Sequence, residues 1–111
     1  MSSSPKPKET KSYDLEFDVR ARKEFQKLDG ALQVQFARKL KERLAQPRVE
    51  KDKLSGMPDC YKIKLRSAGY RLVYRVFDQR VVVIVIAVGK RERSDIYDSA
   101  RSRLTSPGSL S

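Results

Sequence analysis

Histidine is absent from the chain, and cysteine occurs once, at Cys60. Losing histidine removes the commonest general base and the commonest metal ligand together, so any catalysis must use lysine, arginine, tyrosine or a carboxylate. A single cysteine excludes an intrachain disulfide and a cysteine-rich metal cluster. Cys60 itself is most simply a small strand residue, since no histidine exists to activate it as a nucleophile. The longest apolar run, Val81 to Val88, is too short to span a bilayer, and no charged-then-apolar signal segment opens the chain. The expectation is a soluble cytoplasmic protein with no membrane, metal or cofactor. Acidic residues are scarce as well. There are 14 Asp+Glu against 25 Lys+Arg, giving a net charge of +11 on 111 residues and a pI of about 10. Such an excess on so short a chain points to a polyanionic partner, nucleic acid before membrane.

The serine-rich, proline-containing ends carry no periodic apolar residues. Residues 1–11 are therefore expected to be a disordered arm or an expression remnant, and 105–111 a flexible tail. Between them, 12–104 form one domain of roughly 90 residues, near the lower size for independent folding. "SYDLEFD" sets Tyr13, Leu15 and Phe17 at period two and reads as a half-buried strand. Asp18 can cap a helix carrying Ala21, Phe25 and Leu28, which Asp29-Gly30 interrupts. A second helix carries Leu32, Phe36, Leu40 and Leu44 at spacings of four, with Arg38, Lys39, Lys41 and Arg43 largely to its sides, and stops before Pro47.

Three strand-like runs follow a basic connector with Gly56 and Pro58: Cys60 to Arg66, Tyr70 to Phe77 and Arg80 to Val88. The all-apolar "VVVIVIAV" belongs inside the sheet, covered on both faces, and Gly89 is expected to end it. A short helical segment then carries Ile96, Ala100 and Leu104. The order predicts an α+β fold: an N-terminal strand, a two-helix hairpin, a mostly antiparallel sheet of about four strands and a short C-terminal helix, with the helices on one sheet face.

Strand alternation sets Tyr61, Ile63 and Leu65 on one side and Lys62, Lys64 and Arg66 on the other. In the next run Arg71 and Arg75 oppose the face of Tyr70, Leu72, Tyr74 and Val76. Matching the apolar sides pairs Leu65 with Tyr70, Ile63 with Leu72, and Lys64 with Arg71. Like charges directly opposed are destabilising, which suggests an anion between them. A tight link at Asp78-Gln79 would pair Arg75 with Val82 and Arg71 with Ile86, and bring Lys90 and Arg91 out near the Arg71 end, on the same side, beside the turn carrying Tyr97. One alternating strand alone reads equally as a solvated basic face; convergence from several segments favours a phosphate site. For Tyr97 alone, an amphipathic residue at the edge of a short helix is the favoured reading.

If the anion is RNA, its own 2′-hydroxyl can attack the neighbouring phosphorus. Arginine suits the charge building on the phosphoryl oxygens, and lysine can take the 2′-proton where crowded cations favour its neutral form. Tyr97 offers a ring for an unpaired base. The chemistry expected is metal-independent cleavage to a 2′,3′-cyclic phosphate and a 5′-hydroxyl end.

"LSGMPDCYKIKLRSAGYRLVYRV" followed by "VVVIVIAVGKRERSDIY" closely resembles the RelE toxins of bacterial toxin–antitoxin pairs, a resemblance running from about Tyr13 to Leu104. It implies a ribosome-dependent mRNA interferase that cuts the A-site codon of the 70S ribosome without a metal, and so inhibits translation. The family's catalytic positions are filled here by Lys62, Lys64, Arg71, Arg91 and Tyr97. By that resemblance the lysines, chiefly Lys64, remove the proton, Arg71 and Arg91 stabilise the transition state, and Tyr97 stacks on the base. Arg38, Lys39, Lys41, Arg43, Arg66, Arg75 and Lys90 would contact RNA and the ribosome. A cognate RelB-like antitoxin is implied, through which alone operator DNA is reached. The alternatives are a non-cleaving relative of the same fold acting as a gyrase poison, and a nucleic-acid-binding module; neither requires Lys64, Arg71, Arg91 and Tyr97 together.

Overall fold

A computed structural model describes residues 12–65, 68–90 and 95–104. The N-terminal arm, the C-terminal tail, Arg66 and Arg91 lie outside the described residues. Strand β1 (Asp14–Phe17) leads into helices α1 (Val19–Gln26) and α2 (Gly30–Ala45), then a short 3-10 turn at Glu50–Asp52. Strands β2 (Cys60–Leu65), β3 (Tyr70–Phe77) and β4 (Val82–Lys90) follow, and helix α3 (Asp95–Leu104) completes the fold.

The helix boundaries follow from local chemistry. The Asp18 carboxylate accepts the Arg20 N–H at 2.8 Å and the Arg20 guanidinium at 3.1 Å. It thereby satisfies a donor that helix geometry leaves open and sets negative charge at the positive end of the α1 dipole. Burial pushes the Asp18 carboxyl up, but the hydrogen bonds from Arg20 outweigh it and hold the group below its ordinary value. At the other end of α1, the Gln33 amide on α2 donates to the carbonyls of Phe25 and Leu28 at 3.1 and 3.2 Å, so one side chain ties off the preceding helix. Helix α2 begins at Gly30 and buries Phe36 and Leu40.

The four strands lie in the order β1-β4-β3-β2, with β1 parallel to β4 and the other neighbours antiparallel. β4 is thus internal, as its unbroken apolar run predicts, and every residue from Val82 to Val88 is buried. One face packs Tyr61, Ile63, Leu65, Leu72 and Tyr74 against Ala21, Phe36 and Leu40 of α1 and α2. The other packs Val73, Ile84, Ile86 and Ala87 against Ile96 and Ala100 of α3. The expectation of helices on a single face is corrected here: α3 takes the second face, because β4 is apolar on both sides and needs cover on both. Leu15, expected to be half-buried, is 37% exposed at the sheet edge.

The β2–β3 register is the one alternation predicts, with Leu65 opposite Tyr70, Ile63 opposite Leu72 and Lys64 opposite Arg71. The β3–β4 register differs from expectation. Phe77 pairs with Val82 and Arg75 with Ile84, across a connection of residues 78–81 in which Val81 has φ 55°. A bulge then shifts the ladder between Val73 and Tyr74, so that Arg71 faces Gly89 rather than Ile86. Gly89 lies inside β4 and does not end it. A β-branched residue in the left-handed region and an inserted bulge residue are both choices that tertiary packing imposes against local preference.

Candidate active site

Lys62 and Lys64 project from the β2 face opposite the Tyr61, Ile63 and Leu65 that are buried under the helices. Since paired residues share a face, Arg71 on β3 stands on the same side, directly across from Lys64. Its Nε is buried and makes no hydrogen bond among the described residues. The bulge supplies the space beside it: Gly89, opposite Arg71, has no side chain, and a Cβ built there would meet Ile96 Cδ1 at 3.8 Å. Ile96 therefore brings the first turn of α3 to the Arg71 end of the sheet. The next residue, Tyr97, is half-buried against the α3-side core. Lys62, Lys64 and Arg71 thus share one face of the sheet, and α3, which carries Tyr97, packs on that face.

Lys90 departs from that grouping. It pairs with Tyr70, and its Nζ lies 5.9 Å from the centre of the Tyr70 ring, on the side of the sheet that carries α1 and α2. It reaches the same end as Arg71 but turns away, because strand alternation puts Gly89 and Lys90 on opposite faces. Arg38, Lys39 and Lys41 are exposed along α2.

Arg43 has a different job from the exposed α2 cations. Its guanidinium donates to Asp52 at 2.7 Å, to the Tyr74 hydroxyl at 2.9 Å and to the Lys62 carbonyl at 3.3 Å. The Tyr74 hydroxyl donates in turn to the Pro47 carbonyl at 2.6 Å, and the Tyr74 ring stacks on Tyr61 with centroids 5.7 Å apart. Burial raises the Tyr74 pKa, against the opposing pull of Arg43. This network fastens the β2 backbone beneath the two lysines to α2 and the 3-10 turn. Beside it, Lys39, Arg43, Lys51, Asp52, Ile63 and Lys64 line a cleft of about 290 Å³, which joins the lysine of the sheet to those of α2 and the turn. Lys51 and Asp52 carry no periodic or motif signal and are invisible in the sequence.

The far end of the sheet is held by ion pairs. Arg48 binds Asp59 at 3.1 Å and Asp78 at 2.8 Å, and Asp78 also accepts the Tyr13 hydroxyl at 2.7 Å. Hydrogen bonding to Asp78 raises the Arg48 pKa, and the same bonds from Tyr13 and Arg48 lower that of Asp78. Arg75 lies over the Phe77 ring at 4.8 Å, and its Nε is buried and unpaired among the described residues. Cys60 is fully buried, and burial pushes its thiol up to about 11, so it stays a protonated packing residue.

What this arrangement can do chemically is bind a phosphodiester by its oxygens and offer lysine amines for proton transfer beside it. A family model for the ParE toxin of the type II toxin–antitoxin system parDE matches residues 15–95. The mRNA interferase toxin RelE of Escherichia coli strain K12 is 59% identical over 93 residues, covering 84% of this chain and 98% of that protein. A mutant of the E. coli RelE toxin, solved in the free state, matches with a TM-score of 0.80 at 56% identity, over 85% of this chain and 99% of that one. The intact E. coli RelBE toxin–antitoxin complex contains a chain matched at a TM-score of 0.72 and 61% identity, over 74% of this chain and 100% of that one. A family model spanning most of the sequence, together with relatives this similar along nearly their whole length, places the protein in the ParE/RelE family of toxins from type II toxin–antitoxin systems.

Proposed function

We propose that this protein is the toxin of a type II toxin–antitoxin pair and acts as an mRNA interferase, an endoribonuclease that cuts messenger RNA in the ribosomal A site. The observation that carries the reading is the cross-strand pairing of Lys64 with Arg71, with Lys62 on the same face. The pairing sets a lysine amine beside an arginine, and a phosphodiester is an anion that fits the guanidinium fork. The 59% identity to an mRNA interferase supports the choice of RNA over DNA.

In this mechanism a lysine, chiefly Lys64 assisted by Lys62, accepts the proton of the 2′-hydroxyl as its oxygen attacks the adjacent phosphorus. The bond to the 5′-oxygen breaks, and that oxygen takes up a proton as it leaves. The products are a 2′,3′-cyclic phosphate and a 5′-hydroxyl. Arg71 and Arg91 neutralise the charge that grows on the non-bridging oxygens, where fixed donors act without reorganising. Tyr97 stacks on and orients the base. In this reading the cations that contact ribosomal RNA are Arg38, Lys39 and Lys41, exposed on α2, and Lys51, which lines the same cleft as Lys39, with Arg66, Arg75 and Lys90 as further cations. Arg43 serves this surface from beneath through Asp52 and Tyr74. The partner that restrains the toxin is a RelB-like antitoxin, which carries any operator binding.

Primer extension on mRNA in programmed ribosomes tests the proposal. Cuts are expected in the A-site codon, absent when the scissile nucleotide carries a 2′-O-methyl group. Arg71→Ala is expected to slow them by roughly 100-fold or more. Cleavage that survives 2′-O-methylation refutes the mechanism, and gyrase-linked DNA breaks with intact mRNA refute the choice of target.

A further inference from the structure

We propose that Glu24 on α1 and Arg103 on α3 form a positioning clamp that seats α3, and with it Tyr97, over the cationic face of the sheet. The inference rests on the reading of Tyr97 as a base-stacking residue of the cleavage site and adds two residues that act through it.

Strand β1 is only four residues long and pairs with β4 from Val82 to Val85, so beyond Val85 that edge of the central strand has no neighbouring strand among the described residues. An open strand edge exposes backbone donors and acceptors that must find partners. Two side chains supply them. Glu24 Oε1 accepts the Val88 N–H at 3.0 Å, and Arg103 Nη1 donates to the Ile86 carbonyl at 2.9 Å. The same two side chains grip each other as a fork, Arg103 Nη1 to Glu24 Oε1 at 2.9 Å and Nη2 to Oε2 at 2.8 Å. The Arg103 side chain is 12% exposed and that of Glu24 33%, so this bidentate pair is partly withdrawn from water, where fixed planar geometry gives both strength and direction. Hydrogen bonding to Glu24 raises the Arg103 pKa in keeping with that environment.

The consequence for Tyr97 follows from the shape of α3. A ten-residue helix is marginal alone in water and takes its position from what it packs on. The apolar contribution of α3 is small: Ile96 and Ala100 are buried, while Tyr97 and Leu104 are only partly so. Ile96 sits beside Gly89, across from Arg71, and fixes the N-terminal turn; Arg103 fixes the last turn. Tyr97 lies between the two anchors, about 9 Å along the axis from Arg103. Release of the C-terminal anchor leaves the helix free to tilt about Ile96, and a displacement of about 1 Å at the stacking ring is enough to cost much of the rate.

The test uses the full chain in programmed ribosomes, with single-turnover cleavage rates at saturating ribosome and hydrogen exchange read on the same samples. Glu24→Gln keeps size and a hydrogen-bond acceptor but loses the charge; Arg103→Lys keeps the charge but loses the fork. Both are expected to lower the rate roughly tenfold or more and to speed amide exchange in α3, with the β2–β3 amides unchanged. In a Tyr97→Ala background the same substitutions are expected to cause no further loss, since clamp and ring act in series. Losses that multiply in the double variants, or faster exchange in β2 and β3 as well, would show a general stabilising role and overturn the clamp. A fully active Glu24→Gln beside an impaired Tyr97→Ala would overturn the clamp alone. Full activity of Tyr97→Ala would overturn the reading of Tyr97 on which the clamp depends.

Discussion

Replacing Tyr74 by phenylalanine removes a single oxygen from the interior while keeping the ring that stacks on Tyr61. That hydroxyl is fully buried, donates to the Pro47 carbonyl at 2.6 Å and accepts from Arg43 at 2.9 Å. After substitution the Pro47 carbonyl keeps the Val49 N–H at 3.1 Å, and Arg43 keeps Asp52 at 2.7 Å, so neither partner is stranded. The loss is then one neutral hydrogen bond and one charge-assisted bond, together about 2 kcal/mol. For a domain of this size that corresponds to a fall in Tm of roughly 8–16 °C. In urea the midpoint should drop by about 1 M with an unchanged slope. Arg43→Leu makes the contrast, because it leaves the buried Asp52 carboxylate without its partner and should cost about 3–5 kcal/mol. A loss below about 0.5 kcal/mol for Tyr74→Phe, or one equal to that of Arg43→Leu, refutes this division of labour between hydroxyl and guanidinium.

Three further outcomes are expected. Val81→Asn should stabilise the protein by about 1 kcal/mol, read as a higher urea midpoint, because φ 55° strains a β-branched residue and suits asparagine. The folded-state carboxyls of Asp18 and Asp78 lie below their ordinary 3.8, so the stability they contribute is present above that pH and is lost as the pH falls through their folded values; Asp18→Asn should flatten the acid limb of a Tm-versus-pH curve. Cys60, buried with its thiol at about 11, should resist iodoacetamide in the native protein at neutral pH and react at once in denaturant; fast native labelling would show that β2 opens locally.

Much of the site is legible in residue order. Lys64 opposite Arg71 follows from two period-two strands joined by a short break with glycine, since only one parity of register buries Ile63, Leu65 and Leu72 together. The same reasoning fails one strand later. Val81 adopts a turn conformation that no local rule assigns to valine, and the bulge beside Tyr74 lets both Ile86 and Ala87 pack toward α3. In an all-apolar strand such a shift exposes nothing polar, so hydrophobicity gives no penalty by which to detect it. Alternation groups Lys90 with Arg71 for this reason, and the true register turns it to Tyr70 instead.

Composition and alternation alone determine that the chain is basic, lacks histidine, and carries cations on one face of a hairpin, because these are properties of residue identity and a two-residue repeat. Only folding decides which face α3 covers, that Gly89 comes to lie opposite Arg71, and that Glu24 meets Arg103 across 79 positions of sequence. Those contacts depend on where chain segments come to rest against one another, and charges or bulges separated by most of the chain leave no periodic trace along it.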